Sequence, residues 1–293
     1  MGKVYEALSR AQIESDDVDL FDEVEQKRED SGFEEPAPQR FNFMRYSLGS
    51  GSRASQGRLH SQPAAVAIVP RSPAQPAREL TISPERLDPH LSSFHNLDPQ
   101  AYQEYNKLAL SLISKAAQRG FKRVLVASAQ AGEGRTCVTL NLACALARAR
   151  QRVLVVDCDL VNPSVLRLLG LHCEIGMYEA FERKMHPTAA AAVIRPFGFN
   201  VLPTTRPVHN PAELLAAPDF WKMLKTFDAA HDFVLFDSSP LATGGDASLL
   251  MRFTDTTLMV VRAGHTSSAQ MAKALASFAQ DDILGVVINR AEA

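Results

Sequence analysis

Residues 129–136 read Ala-Gln-Ala-Gly-Glu-Gly-Arg-Thr, and few stretches of eight residues restrict a fold so tightly. A Gly, four residues and then Gly-Lys-Ser/Thr make a backbone cradle for phosphate between a strand and a helix. Here Ala129 opens the pattern, Gly134 and Thr136 are in place, and Arg135 stands where lysine is expected. Gly132 and Gly134 allow backbone angles that a side chain would forbid, so their amides can turn inward around an anion. Val124, Leu125 and Val126 form the apolar β-branched run of a buried parallel strand before the loop. After it, Val138, Leu140, Leu142, Ala145 and Leu146 fall mostly at helical steps. That helix aims its positive N-terminal end at the anion, and the Thr136 hydroxyl is a candidate ligand for Mg²⁺.

A Gly-rich turn without a ligand would show the same loop, but the following strands argue against it. Residues 153–159, Val-Leu-Val-Val-Asp-Cys-Asp, place Asp157 and Asp159 at the C-terminal end of an apolar strand, where open α/β sheets bind ligands. Strand alternation points both side chains the same way, and two like charges so close are costly unless a cation or a proton transfer uses them. A third strand, Phe233-Val234-Leu235-Phe236, runs into Asp237-Ser238-Ser239-Pro240 and supplies another carboxylate suited to Mg²⁺. One aspartate after a strand is as easily a helix cap. Three, in order behind a phosphate loop, are not.

The chain has 293 residues, a net charge of −2 and 46% hydrophobic residues, enough for a large core. The near-neutral balance argues against nucleic acid as a partner. No apolar run approaches the roughly 18–20 residues that cross a bilayer, and Met1 to Ser15 lack the apolar core of a signal peptide. A cytoplasmic protein is expected. Cys137, Cys144, Cys158 and Cys173 lack metal-site spacing and read as thiols within the core.

Two regimes divide the chain. Residues 1–97 are expected to be mostly disordered: an amphipathic helix near 3–14, a run of acids from Asp16 to Glu25, then a Pro/Ser/Gln/Arg-rich stretch to about residue 90. Arg40, Arg45, Arg53 and Arg58 with Phe41, Phe43 and Tyr46 read as a solvated linker before they read as a membrane contact. Residues 98–293 are expected to form one nucleotide-binding domain, opening with a helix over 99–118. Strands are predicted near 123–128, 153–157, 199–203, 233–237, 257–262 and 283–288. Helices are predicted between them, notably over 135–149, 211–229, 246–252 and 267–279. Such alternation implies an α/β fold, a mostly parallel sheet covered by helices on both faces.

In this order the motifs resemble the cytoplasmic domain of bacterial tyrosine kinases, the P-loop autokinases of capsule and exopolysaccharide export. The resemblance covers roughly 100–293. It rests on Gly132-Glu133-Gly134-Arg135-Thr136 with Asn141-Leu142-Ala143, on Asp157-Cys158-Asp159-Leu160 with Pro163, and on Asn210-Pro211-Ala212-Glu213-Leu214-Leu215. It continues with Asp237-Ser238-Ser239-Pro240, Val260-Val261-Arg262-Ala263-Gly264 and Leu284-Gly285-Val286-Val287-Ile288-Asn289-Arg290. The opening Met1-Gly2-Lys3-Val4-Tyr5-Glu6-Ala7-Leu8 also resembles exopolysaccharide kinases that lack a membrane half. The resemblance implies a P-loop NTPase fold, ATP and Mg²⁺ as cofactors, and phosphoryl transfer to tyrosine. It implies that Gly132, Glu133, Gly134, Arg135, Thr136 and Cys137 cradle the phosphates and that Thr136 and Asp237 hold the metal. It makes Arg135, Asp157 and Asp159 the catalytic candidates, one aspartate lying near the attacking tyrosine hydroxyl, and it sets Asn289 against the adenine.

Departures from the family pattern shape the functional expectation. Arg135 replaces the catalytic lysine, and Val161 replaces a basic residue. The family's ring-forming Glu and two Arg would fall on Gln100, Gln103 and Asn106, or one register later, with their charges gone, and no tyrosine-rich tail follows the last strand. A lysine is a compact point charge, whereas arginine is a planar fork that neutralises phosphate but misplaces the donor. Losing one well-placed donor costs about a hundredfold to a thousandfold in rate. The expected function is ATP binding of the tyrosine-autokinase type in exopolysaccharide or capsule synthesis. A nucleotide-binding pseudokinase acting as a partner module is the alternative. A positioning ATPase is weaker, because Gln130 stands where those proteins resemble one another in a lysine. The expected partner is a membrane polysaccharide co-polymerase or export protein, met at the inner membrane by a monomer or dimer rather than an octameric ring.

Overall fold

A computed structural model describes residues 78–290, apart from 96–97, 244–245, 277 and 279–281. The expected helix near 3–14 and the expected linker up to residue 77 lie outside the described residues. Strands β1 (Arg78–Thr81), β2 (Arg123–Ser128), β3 (Val153–Cys158), β4 (Ala192–Arg195), β5 (Phe199–Leu202), β6 (Phe233–Ser238), β7 (Thr256–Arg262) and β8 (Ile283–Asn289) form one sheet. Its order is β1-β4-β5-β3-β6-β2-β7-β8. Every neighbouring pair is parallel except β4 and β5, which run antiparallel.

Strand alternation divides the core between the two faces. On one face Val124, Val126, Val153, Val155, Phe233 and Leu235 meet α1 (Ser92–His95), α2 (Pro99–Arg119), α3 (Arg135–Arg148) and α4 (Val165–Leu168). On the other, Leu125, Leu154, Val156, Val234 and Phe236 meet a second set of helices. These are α5 (Met177–Glu182), α6 (Pro211–Ala216), α7 (Pro218–Lys225), α8 (Asp246–Met251) and α9 (Ser268–Leu275). Within this second layer the Trp221 ring stacks on Phe253 at 3.6 Å, and its indole N–H donates to the Leu215 carbonyl at 2.6 Å.

Helix α2 spans the expected 99–118 almost unchanged. The Asp98 carboxylate accepts from the Ala101 amide at 2.9 Å, and Gly120 ends the helix at φ 74. The helix expected over 211–229 is two helices, because Ala217 precedes Pro218 and is held extended at ψ 120. The structured body also starts earlier than residue 98. β1 pairs with β4, and Ile82, Leu87, Leu91 and Phe94 are buried in the core of the first face. Asn141 of α3 fastens this segment: its Oδ1 accepts from the Ser93 amide at 2.8 Å and its Nδ2 donates to the His90 carbonyl at 3.1 Å.

Candidate nucleotide site

β3, β6 and β2 are consecutive in the sheet, so their C-terminal ends bring Asp157 with Asp159, Asp237 with Ser238, and the phosphate loop to one place. The loop turns through Gly132 at φ 79 and Gly134 at φ 90, both left-handed. A Cβ on Gly134 would lie 2.0 Å from the Asn289 amide nitrogen, so any other residue here would displace Asn289 as well as strain the left-handed backbone. Asn289 is that close because its Nδ2 donates to the Glu133 carbonyl at 2.8 Å. Glu133 is itself buried and braces the loop from inside. Its Oε2 accepts from the Gln130 amide at 2.9 Å, and its Oε1 accepts from the Thr266 hydroxyl. Nothing in the sequence pattern singled out Thr266 or an internal role for Glu133.

Thr136 sits at the second position of α3, and its hydroxyl donates to Asp237 Oδ2 at 2.7 Å. The Thr139 hydroxyl reaches the other Asp237 oxygen at 3.3 Å, and Ser164 donates to Thr136 Oγ1 at 3.0 Å. Asp157 is the register partner of Asp237 across β3 and β6. Its Oδ2 accepts from the Val165 amide at 3.2 Å, while its buried Oδ1 has no hydrogen-bond partner among the described residues. Burial raises the Asp157 carboxyl well above the usual range, and the Asp237 charge adds to the effect. Burial also pushes Asp237 up to about 6, against the opposing pull of Arg135 and the Thr136 hydroxyl. Asp159 is raised by burial too, with the Asn162 amide and Arg135 offsetting part of the shift.

Arg135 turns into this cluster. Its Nε donates to the Ser238 carbonyl at 2.9 Å, and its Nη1 donates to the Ser128 hydroxyl and, at 3.3 Å, to the Gln130 carbonyl. Nη2 completes the set against Asp159 Oδ2 at 3.4 Å. All three guanidinium nitrogens are engaged by protein groups, and the side chain is 8% exposed. The arginine therefore ties together the ends of β2, β3 and β6.

On the outer side of the loop, His90, Ser92, Tyr105, Cys137, Asn289 and Arg290 line a crevice beside Gly134. His90 and Ser92 come from the N-terminal segment, which sequence patterning left outside the domain. Burial pushes the Cys137 thiol up to about 11, so it is no nucleophile at neutral pH. The oxygens here are of the kind Mg²⁺ takes: Thr136 Oγ1 at the head of α3 and Asp237 Oδ2 at the end of β6 lie 2.7 Å apart, and Asp157 Oδ1 on the adjacent strand has no partner among the described residues.

Residues 121–292, more than half of the chain, match the ParA family, described as NUBPL iron-transfer P-loop NTPase. The tyrosine-protein kinase YwqD of Bacillus subtilis (strain 168) is 30% identical over 190 residues, which cover 64% of this chain and 80% of that protein. The tyrosine-protein kinase wzc of Salmonella typhi is 30% identical over 158 residues, 53% of this chain but only 22% of that much longer protein. Among solved structures, the kinase domain of Escherichia coli tyrosine kinase ETK aligns with a TM-score of 0.62 at 25% identity, over 71% of this chain and 84% of that one. A P-loop sheet of this order and relatives of this coverage place the chain in the ParA-type P-loop NTPases and, among them, in the bacterial tyrosine-protein kinase family.

Proposed function

We propose that this chain binds Mg·ATP on the 129–137 loop as a tyrosine-kinase module of exopolysaccharide or capsule synthesis. The observation that carries the reading is the contact of Thr136 with Asp237 at the head of α3, beside the unpartnered oxygen of Asp157. Thr136→Ala removes one of the converging oxygens, so titration calorimetry is expected to show at least about tenfold weaker Mg·ADP binding. No Mg²⁺-dependent binding by the wild type at millimolar nucleotide would exclude the reading.

Mg·ATP would supply the transferable phosphoryl group and a cation to share its charge. The protein's part is to orient and to accept a proton. Backbone amides of 132–137 would cradle the phosphates, and Asn289 borders the crevice where a base would lie. In transfer to a tyrosine, the phenolic oxygen would take the γ-phosphoryl group as its bond to the bridging oxygen broke, that electron pair departing with ADP, and a carboxylate of this chain would accept the phenolic proton. Asp159 is the more accessible of the two on β3's end, and Asp157 is the fully buried one.

A second reading is favoured by Arg135. A guanidinium held by Ser238, Ser128, Gln130 and Asp159 is not positioned as a mobile point charge for the terminal phosphates. The chain would then bind nucleotide and transfer phosphate slowly or not at all, acting as a partner module. A membrane polysaccharide co-polymerase is the partner that either reading calls for. No helix among the described residues is long and apolar enough to cross a membrane.

A further inference from the structure

Beside the nucleotide loop, between the segment after β3 and the segment after β5, lies an open groove lined by residues 161–164, Arg167 and 205–207. Its lining carries two cations, Arg167 and Arg206, and no carboxylate. It begins next to the candidate phosphate site, because Ser164 in its wall donates to the Thr136 hydroxyl at 3.0 Å. At its rim stands Val161, 47% exposed, an apolar side chain held out to solvent.

Arg206 is built into place. Its Nε donates to Glu179 Oε1 at 3.0 Å, and its guanidinium lies 5.4 Å over the Tyr178 ring. Glu179 is buried and is fixed in turn by the Gly176 amide and the Thr205 hydroxyl, each at 3.0 Å on Oε2. One edge of the guanidinium is thus anchored, and the side chain is still 60% exposed. Arg167 is exposed and takes part in no ion pair among the described residues. An arginine held by one edge presents its remaining donors in a fixed fork, the geometry that reads carboxylates.

We infer that this groove docks the phosphoacceptor as an extended, acidic segment, with carboxylates on Arg167 and Arg206, an apolar neighbour on Val161, and the tyrosine directed toward Thr136. The inference rests on the proposed kinase reading and adds a substrate class to it: tyrosines flanked by Asp and Glu rather than by Lys and Arg. Arg206 is partly neutralised by Glu179 behind it, but with two guanidinium groups and no carboxylate in its lining the groove attracts that class and repels the other.

The test uses the full chain at low ionic strength, where charge pairing is least screened. Fluorescence anisotropy would compare a labelled tyrosine peptide flanked by glutamates with its lysine-flanked counterpart, with and without Mg·ADP. The acidic peptide is expected to bind at least about tenfold more tightly, and R167Q/R206Q to weaken it by about tenfold, as two exposed charge pairs allow. Because Arg206 also neutralises Glu179, R167Q alone provides a variant that leaves that pair intact, and it should lose about threefold. Mg·ADP affinity should be unchanged in both. Equal affinity for the two peptides, or unaltered acidic-peptide affinity in both variants, overturns the inference. So does arginine-dependent binding to phosphatidylserine vesicles without peptide discrimination, which would assign the groove to a membrane surface. A wild type that discriminates the peptides but binds no nucleotide would sink the nucleotide reading and leave the groove standing.

Discussion

The guanidinium of Arg135 donates from all three of its nitrogens to groups at the ends of three strands, and a lysine has no geometry that repeats this. Arg135→Lys therefore separates two roles. The nucleotide-free protein is expected to melt lower, since net losses of about 1 kcal/mol per hydrogen bond move the midpoint by a few degrees in a body of this size. Mg·ADP affinity and γ-phosphate transfer are expected to rise, because the ammonium is released toward the phosphates. A variant that melts lower and also binds nucleotide more weakly would show that the arginine is itself the phosphate ligand. Asp157 carries the opposite tension. A carboxyl whose folded pKa is raised adds stability at low pH and loses it as pH climbs from the unfolded value, about 4, through the raised one. Burial raises both Asp157 and its partner Asp237, the latter to about 6, so the nucleotide-free protein should lose stability across that window. Asp157→Asn replaces the charge with an amide and should raise the midpoint by several degrees at pH 7, about 1–3 kcal/mol, with the gain shrinking toward pH 5. Equal melting of the two proteins at pH 7 would refute this account.

Asn141 belongs to the helix that follows the phosphate loop, yet its side chain works on a different element. It binds the Ser93 amide, the His90 carbonyl and, at 2.9 Å, the Cys137 carbonyl, so it clips the segment before α2 onto α3. Asn141→Ala would orphan these groups and is expected to loosen residues 88–95 by about 2–3 kcal/mol. Hydrogen exchange should accelerate there by more than tenfold while β2 and β3 stay protected. Uniform acceleration over the whole sheet would mean that the clip is not local. This element also shows where sequence patterning stops. The apolar strands β2, β3, β6, β7 and β8 were legible to within about a residue, because each is a run of β-branched and apolar residues bounded by turn residues, and β2, β3 and β6 are buried on both faces. β1 was not, since Arg78-Glu79-Leu80-Thr81 alternates in exposure and lies in a polar stretch whose partner, β4, is remote in sequence. β4 itself is four residues ending before Pro196, too short to carry a period. Of the site, the carboxylates at strand ends could be read from spacing. The direction of the Arg135 side chain could not, because it depends on Ser238 and Asp159, which only the fold brings near.

At the scale of the molecule, the resemblance would set the family's ring contacts on α2. Gln100 and Gln103 are exposed there and Asn106 is half-buried, and none carries a charge. Without the ion pairs that would hold neighbours together, light scattering of the purified chain is expected to give a monomer or a dimer. A stable octamer would show that some other surface closes the ring. The two layers of the sheet are unequal in one further respect. The chain has a single tryptophan, and it lies on Phe253 in the layer of α6, α7 and α8. Its indole is buried and hydrogen-bonded, so native emission will be blue-shifted, and any red shift will mark the parting of that layer from the sheet. The opposite layer, with α2, α3 and the segment clipped by Asn141, is dark in tryptophan light. An optical unfolding curve of this molecule is thus a record of one of its faces.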